Sequence, residues 1–429
     1  MIRMIATTVG LCALLAALTA TAQEPQEHQH HHPQATPPPA AAASTGGEHH
    51  DHHGMIASES KNFPTLAYDD ARTARTPQHH APPALPGNPQ QGKQLAYNPE
   101  KGRCLSCHVL GPDGEQPGSV GPNLSTYARR KVDPAQTFQQ IWDARAHNPH
   151  SVMPAFGSFE LLTEQETAHI VAYLQTLDTP VAAPPALTDA APGVWVVGED
   201  LTLDDVYLEQ GEHLFRTPGN NGSSCATCHT PGGDGPDLKG VAATYPKWDV
   251  QQKRVVVLEQ RINRCRSQFM DSPHYPLGSD ESNLLTSYLK SLSRRTPVRV
   301  ATDGPAQDAS ARGKASFYRR AGQLNFACAT CHASDQPVAG RWLRGDVTQS
   351  LTDGVGQRRA ATEWPKHFIG GHDLGLQSLQ QRIEHCQAVT RTQPLQLGSP
   401  EYVELELYLT SLANGAPLLA PTLTRLRGE

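Results

Sequence analysis

Three times along the chain, two cysteines stand three residues apart with a histidine directly after the second. The motifs are Cys104-Leu-Ser-Cys107-His108, Cys225-Ala-Thr-Cys228-His229 and Cys328-Ala-Thr-Cys331-His332. That spacing attaches haem c: two thiols add across vinyl groups, and the adjacent imidazole becomes the proximal iron ligand. A zinc ribbon needs two C-x-x-C pairs per site and gives no reason for a histidine after every second cysteine. A redox C-x-x-C belongs in a βαβ setting, which the flanking sequence lacks. Only 6% of the 429 residues are aromatic, against 35 Gly and 36 Pro. Small helical modules packed around a large macrocycle are therefore expected, rather than self-sufficient cores. A net charge of −6 offers no basic field for nucleic acid.

The repetition extends beyond the motifs. Each is followed by a loop-rich stretch and a helix with a shared ending: Tyr173-Leu-Gln-Thr-Leu177, Tyr288-Leu-Lys-Ser-Leu292 and Tyr408-Leu-Thr-Ser-Leu412. The first such helix opens on a capping box, Thr163-Glu-Gln-Glu166, and puts Ile170, Leu174 and Leu177 on one stripe. The third opens with Ser399-Pro400, a cap residue and a proline where the first turn tolerates it. Leu258-Glu-Gln-Arg-Ile-Asn-Arg-Cys265 aligns with Leu379-Gln-Gln-Arg-Ile-Glu-His-Cys386, and Leu277-Gly-Ser279 with Leu397-Gly-Ser399. The second and third repeats are thus duplicates, and the first is a more distant cousin. The expected fold is all-α, with three tandem cytochrome c-like haem domains over 85–180, 200–296 and 308–420. Pro/Ala-rich stretches near 179–193 and 297–309 are the linkers.

The amino-terminal part has another character. Arg3, an apolar run from Val9 to Leu18 and Ala20-Thr21-Ala22 read as a signal peptide over 1–22. The run is too short to span a membrane, so export to the periplasm and loss of Cys12 are expected. Residues 23–84 are rich in His and Pro and cannot bury a core; this segment reads as disordered. Ten of the chain's 21 histidines fall between His28 and His80. The segment is a solvated tether, or a capture device for copper, nickel or zinc.

The sixth iron ligands follow largely by subtraction. The methionines are Met1, Met4, Met55, Met153 and Met270. Met153, in Ser151-Val-Met-Pro154, suits the first haem, with His147 and His150 as rivals. His/Met ligation raises the potential, making this haem the electron outlet. The second iron can choose among Cys265, Met270 and His274. The third repeat has no methionine, and its candidates are Cys386, His385, His367 and His372. Six of the eight cysteines after Cys12 serve haem attachment, and the two left over, Cys265 and Cys386, occupy the same place in the duplicated motif. Thiolate ligation by both is the favoured reading. Two buried apolar thiols, or a disulfide between them, are the alternatives.

These residues are similar to those of the SoxAX family of thiosulfate-oxidising cytochromes, over nearly everything from Gly87 to Ala420. The first repeat resembles SoxX in Cys104-Leu-Ser-Cys-His108, Gly118-Ser-Val-Gly-Pro122, Met153-Pro-Ala-Phe-Gly157 and Ile170-Val-Ala-Tyr-Leu174. The other two resemble the halves of SoxA in Lys239-Gly-Val-Ala-Ala243, Leu258–Cys265, Gly322-Gln-Leu-Asn325, Gln380–Cys386 and Glu404-Leu-Glu-Leu-Tyr-Leu409. Family members keep the subunits as separate chains, whereas here they are fused. The resemblance implies an L-cysteine S-thiosulfotransferase that joins thiosulfate to a cysteine of a SoxYZ-like sulfur carrier. Two electrons leave through haem to a c-type cytochrome acceptor. It implies Cys386 as the catalytic residue and a candidate persulfide, with Arg382 and Arg391 binding substrate. Three covalent haems would then have His108 and Met153, His229 and Cys265, and His332 and Cys386 as axial ligands.

The competing reading is a tri-haem electron carrier, which predicts His/Met or His/His ligation throughout and no sulfur substrate. A metal-scavenging role would rest on the His-rich tract alone. A di-haem peroxidase needs a displaceable sixth ligand, against which the two spare cysteines argue.

Overall fold

Each Tyr-Leu-x-x-Leu helix is met by a glycine-bearing helix from the start of its own repeat. The computed structural model describes residues 76–84, 86–113, 117–184, 203–343, 346–348, 350–353, 361–369 and 375–425. The expected signal peptide and residues 23–75 lie outside the described residues. In the first repeat α1 (Pro89–Tyr97) packs against α3 (Glu164–Leu174), with α2 (Pro134–Trp142) alongside. In the second, α4 (Leu203–Arg216) packs against α7 (Asp280–Ser291), and in the third α8 (Gln307–Tyr318) against α11 (Pro400–Ser411). The contact needs glycine in all three. A Cβ on Gly92 would stand 1.9 Å from the His169 carbonyl oxygen and 2.8 Å from Tyr173 Cβ. On Gly211 it would stand 2.4 Å from the Leu284 oxygen and 2.8 Å from Tyr288 Cβ, and on Gly313 2.0 Å from the Glu404 oxygen and 3.1 Å from Tyr408 Cβ. The tyrosine of the shared ending thus faces a glycine each time.

Local signals in the sequence carry through. Thr163 Oγ1 accepts from Glu166 N at 3.2 Å, and Glu166 Oε2 accepts from Thr163 N at 2.9 Å, closing the capping box. Ile170, Leu174 and Leu177 are buried in the first core with Leu110 and Phe138. Burying each such side chain contributes about 1.5–3 kcal/mol. Ser399 caps α11, with Pro400 in its first turn.

Strands depart from the all-α expectation. β1 (Lys247–Asp249) pairs antiparallel with β2 (Arg254–Val256), and β3 (Trp342–Leu343) with β4 (Asp346–Val347). A three-stranded sheet runs β6–β5–β7, where β5 (Lys366–Ile369) is antiparallel to β6 (Gly375–Gln377) and parallel to β7 (Thr422–Arg425). Segments of two to four residues are too short to show a two-residue period. The fold is helix-rich with a few short strands.

The second and third repeats are knit together. Val255 and Leu285 share a core with Val403 and Leu407. Gln260 Nε2 donates to Gly398 O and Gln381 Nε2 to Gly278 O, both at 3.0 Å. These are matched residues of the duplicated motif, so the contact is a pseudo-twofold exchange. The first repeat keeps its own core, and it meets the third through Leu324, a Ser119 N–Trp342 O backbone bond and Arg391. Among the described residues no helix is long and apolar enough to cross a membrane.

Candidate functional site

Each motif folds into a single short turn or helix, and in the first two repeats the histidine ring is held by Nδ1. In the first repeat Cys104–Ser106 form a 3-10 turn entered through Arg103 at φ 42°. His108 Nδ1 lies 2.8 Å from the Pro122 carbonyl oxygen. A carbonyl can only accept, so Nδ1 carries the proton and Nε2 keeps its lone pair for a metal. Gly121 lets the ring lie flush, since a Cβ there would stand 2.1 Å from His108 Cε1. Burial lowers the pKa of His108, favouring the neutral ligand form.

The second repeat repeats this seat, with His229 Nδ1 2.9 Å from Pro236 O beside Gly235. Its motif forms helix α5 (Cys225–His229), and that of the third repeat forms α9 (Cys328–His332). Thr227 Oγ1 accepts from Ser224 N and Thr330 Oγ1 from Ala327 N, both at 3.0 Å, so the threonine of C-A-T-C-H caps its own helix. Burial pushes the Cys104 and Cys107 thiols up to about 12, Cys225 and Cys328 to about 11 and Cys331 to about 12. They stay protonated at neutral pH, the state that adds to a vinyl group. No disulfide joins any of the eight described cysteines. Paired thiols beside a fixed neutral imidazole fit haem c.

The candidates for the second axial position have different surroundings in the three repeats. Met153 is half-buried against the first core, whereas His147 and His150 are exposed. Its loop is anchored by buried Asp143, which accepts from Arg145 Nε at 2.9 Å and Nη2 at 2.8 Å. In the second repeat Cys265 lies on α6 (Leu258–Phe269), close enough to Cys225 for its charge to raise that thiol's pKa. Burial raises the Cys265 thiol, opposed by the charges of Arg261 and Arg264. Met270 is buried with Sδ 3.8 Å from Cys225 Sγ, and His274 is exposed. Two sulfurs therefore compete at this position.

In the third repeat Cys386 lies on α10 (Leu379–Val389), and after burial its charge is the largest influence raising both Cys328 and Cys331. His385 is its neighbour in that helix. His367 instead bonds Tyr207 of the second repeat, Nε2 to Oη at 2.8 Å, and His372 lies outside the described residues.

Arg382 stands four residues before Cys386, one turn away on the same helix face. Arg391 goes elsewhere. It is buried, and its Nη2 donates to the carbonyls of Pro99 at 2.5 Å and Lys101 at 2.9 Å in the first repeat. The pKa of Cys331 is also raised by the charge of Cys107, so the first and third motifs lie near each other.

A family model described as SoxA/TsdA, cytochrome c domain, matches residues 210–298, and one described as cytochrome C oxidase, cbb3-type, subunit III, matches 87–174. The L-cysteine S-thiosulfotransferase subunit SoxA of Pseudaminobacter salicylatoxidans is 35% identical over 217 residues, covering 50% of this chain and 70% of that protein. The SoxA subunit of Rhodovulum sulfidophilum is 32% identical over 230 residues, covering 52% and 75%. This chain belongs to the SoxA family.

It is a SoxAX-type c-type cytochrome, and its two matched cytochrome c domains bring haem c with them. The crystal structure of SoxXA from P. pantotrophus aligns at 29% identity over 51% of this chain and 77% of the solved one, with a TM-score of 0.45. Two parts of this SoxA-family site escaped the sequence reading. One is the seating role of the Gly-Pro steps Gly121-Pro122 and Gly235-Pro236, whose prolines lie 14 and 7 residues after their histidines; the first stands in the SoxX-like string, where sequence alone attaches no role to it. The other is the partner of Arg391, which no local pattern announces.

Proposed function

We propose that this SoxA-family cytochrome is an L-cysteine S-thiosulfotransferase that joins thiosulfate to a cysteine thiol of a SoxYZ-like carrier protein. The reaction balances as one thiosulfate dianion plus one carrier thiol giving a carrier S-thiosulfonate monoanion, one proton and two electrons. A new S–S bond forms between the outer sulfur of thiosulfate and the carrier sulfur, and the S–H bond is lost. Haem c, when bound, takes up those electrons one at a time and passes them to a c-type cytochrome.

The placement of Cys386 carries this reading. It lies at the third haem-attachment pair, with Arg382 one helical turn before it. A guanidinium carries two parallel N–H donors, a geometry that suits a sulfur oxyanion. Cys386 supplies the sulfur against which thiosulfate and the carrier thiol are set. Three haem domains at 85–180, 200–296 and 308–420 belong to this reading. So do a signal peptide over 1–22, a His/Pro-rich tether over 23–84 and a periplasmic location. Its ligand set is His108 and Met153, His229 and Cys265, and His332 and Cys386.

Stopped-flow absorbance of the purified holoprotein tests the activity. Thiosulfate with a thiol-bearing carrier is expected to reduce haem, and carrier alone is not. Equal reduction by thiosulfate with and without carrier would leave a simple electron carrier. Intact mass of the denatured protein, expected to show three haem increments and a start near Gln23, tests the haem count.

A further inference from the structure

From the geometry around Arg391 we infer that it is a positioning residue that clamps the Cys386 helix to the first haem-attachment loop, and not a ligand of thiosulfate. This inference rests on the function proposed above for its catalytic consequence, though not for its structural one. Arg391 follows Cys386 by five residues, just past the end of α10. Its backbone has φ 54°, the left-handed region that is unfavourable for a non-glycine residue. Glycine is the default at such a helix end, so an arginine here is held by what its side chain does.

The side chain crosses to the first repeat. Its Nη2 donates to Pro99 O and Lys101 O, in the short segment that leads into Arg103 and Cys104. Both acceptors are neutral carbonyls, and the residue is only 7% exposed, which leaves little room for a solvated dianion. The third repeat fixes the other side. Arg391 N donates to Ala388 O and its own carbonyl accepts from Gln323 N, each at 3.0 Å. Gly322 lies so close that a Cβ there would stand 2.9 Å from that carbonyl oxygen. The receiving loop is equally defined, since Lys101 N and Arg103 N both donate to Asn98 O and Gly102 N donates to Leu95 O. One guanidinium therefore ties the helix of Cys386 to the loop of Cys104, across an interface with a core of its own on the first-repeat side.

Hydrogen exchange and steady-state kinetics on the full-length holoprotein separate the two roles. Arg391→Met is expected to speed amide exchange of residues 98–103 about tenfold without changing that of residues 254–265. At saturating thiosulfate it is expected to slow reduction of the first-repeat haem about tenfold, with the half-saturating thiosulfate concentration unchanged. Unchanged exchange, or a tenfold rise in half-saturation with the rate recovered at high thiosulfate, overturns the inference. Should Arg391→Met fail to accumulate, Arg391→Lys decides. Lys can reach one of the two carbonyls, so it should give intermediate exchange at wild-type half-saturation, and a raised half-saturation overturns the proposal. Exchange reads the clamp whether or not the chain turns over thiosulfate, so failure of the proposed activity is distinguishable from failure of this inference.

Discussion

The second and third repeats carry the same helix, with Arg261 and Cys265 in one and Arg382 and Cys386 in the other, yet their surroundings diverge. Cys265 has Met270 close by, packed on Cys225, and the charges acting on it come from its own repeat. Cys386 has no methionine in its repeat, and the cysteine pair beside it lies near Cys107 of the first. Arg264, adjacent to Cys265, is spent on Asp249 at 2.6 Å, while His385 occupies the matching place beside Cys386. Duplication preserved the motif, and the neighbours set what each copy can do. Among the described residues, the third copy's cysteine pair lies within electrostatic reach of the first repeat's motif.

The hardest test of that contrast is to remove each thiol. Cys386→Ala is expected to lower thiosulfate transfer to the carrier by about a thousandfold or more, with three haems retained. Cys265→Ala is expected to keep most activity per folded molecule and lose stability instead, because Met270 stands ready beside the same cysteine pair. Haem-normalised rates decide it. A dead Cys265→Ala beside an active Cys386→Ala would reverse the two assignments.

Arginine removal sharpens the same comparison. Arg382→Ala is expected to reduce kcat/KM for thiosulfate about 10- to 100-fold, chiefly through KM, as loss of a charge-assisted fork would. Arg261→Ala should leave that ratio within about threefold, the scatter expected of a residue that does not meet substrate. Equal losses in both would mean that the duplicates share the work.

A third test leaves the chemistry aside and asks whether the two helix pairs depend equally on glycine. Gly211→Ala and Gly313→Ala each drive a methyl against a carbonyl, and each is expected to cost about 3 kcal/mol by overpacking. The closer approach at Gly313, 2.0 Å against 2.4 Å, should make its thermal midpoint the lower of the two. Calorimetry showing either variant at wild-type stability would remove the glycine crossing as a shared device.

What was legible in the sequence was local. The motifs, the capping box at Thr163, the cap at Ser399 and the stripe through Ile170 all depend on residues within a few positions of one another. Gly92, Gly211 and Gly313 stand 12, 14 and 15 residues ahead of their first motif cysteine. Their partners Tyr173, Tyr288 and Tyr408 lie far downstream, so no window of sequence joins them. The short strands carry too few residues to show alternation. Arg391 is named as a substrate ligand by resemblance to the family pattern, which says nothing of its long-range partners. Its actual neighbours, Pro99 and Lys101, lie nearly three hundred residues upstream. Subtraction and the duplicated motif favour Cys265 over Met270 at the second site, and the geometry brings both near Cys225.

The smallest expected effect concerns the seam between the duplicates. Glu406 on α11 is buried, and its counterpart in the second repeat is Thr286, so at this matched position the third repeat alone carries a carboxyl. Gln380 Nε2 donates to Glu406 Oε2 at 2.8 Å, while Gln380 Oε1 accepts from Gly398 N at 2.7 Å. Burial pushes the Glu406 carboxyl up to about 7, and the charge of Glu259 across the seam adds to the rise. Lys290 and the Gln380 bond oppose it. A carboxyl whose folded pKa is raised stabilises the fold fully below its unfolded value, near 4.5. That contribution is lost as pH climbs through about 7. Stability should therefore fall by about 2 kcal/mol between pH 5 and pH 8 on this account. Glu406→Gln, neutral at every pH, should flatten the decline while preserving an acceptor for Gln380. Denaturant midpoints for the two proteins across that range provide the measurement. If wild type shows no decline, or Glu406→Gln keeps the same slope, the seam does not respond to this proton and the asymmetry between Glu406 and Thr286 has no bearing on stability.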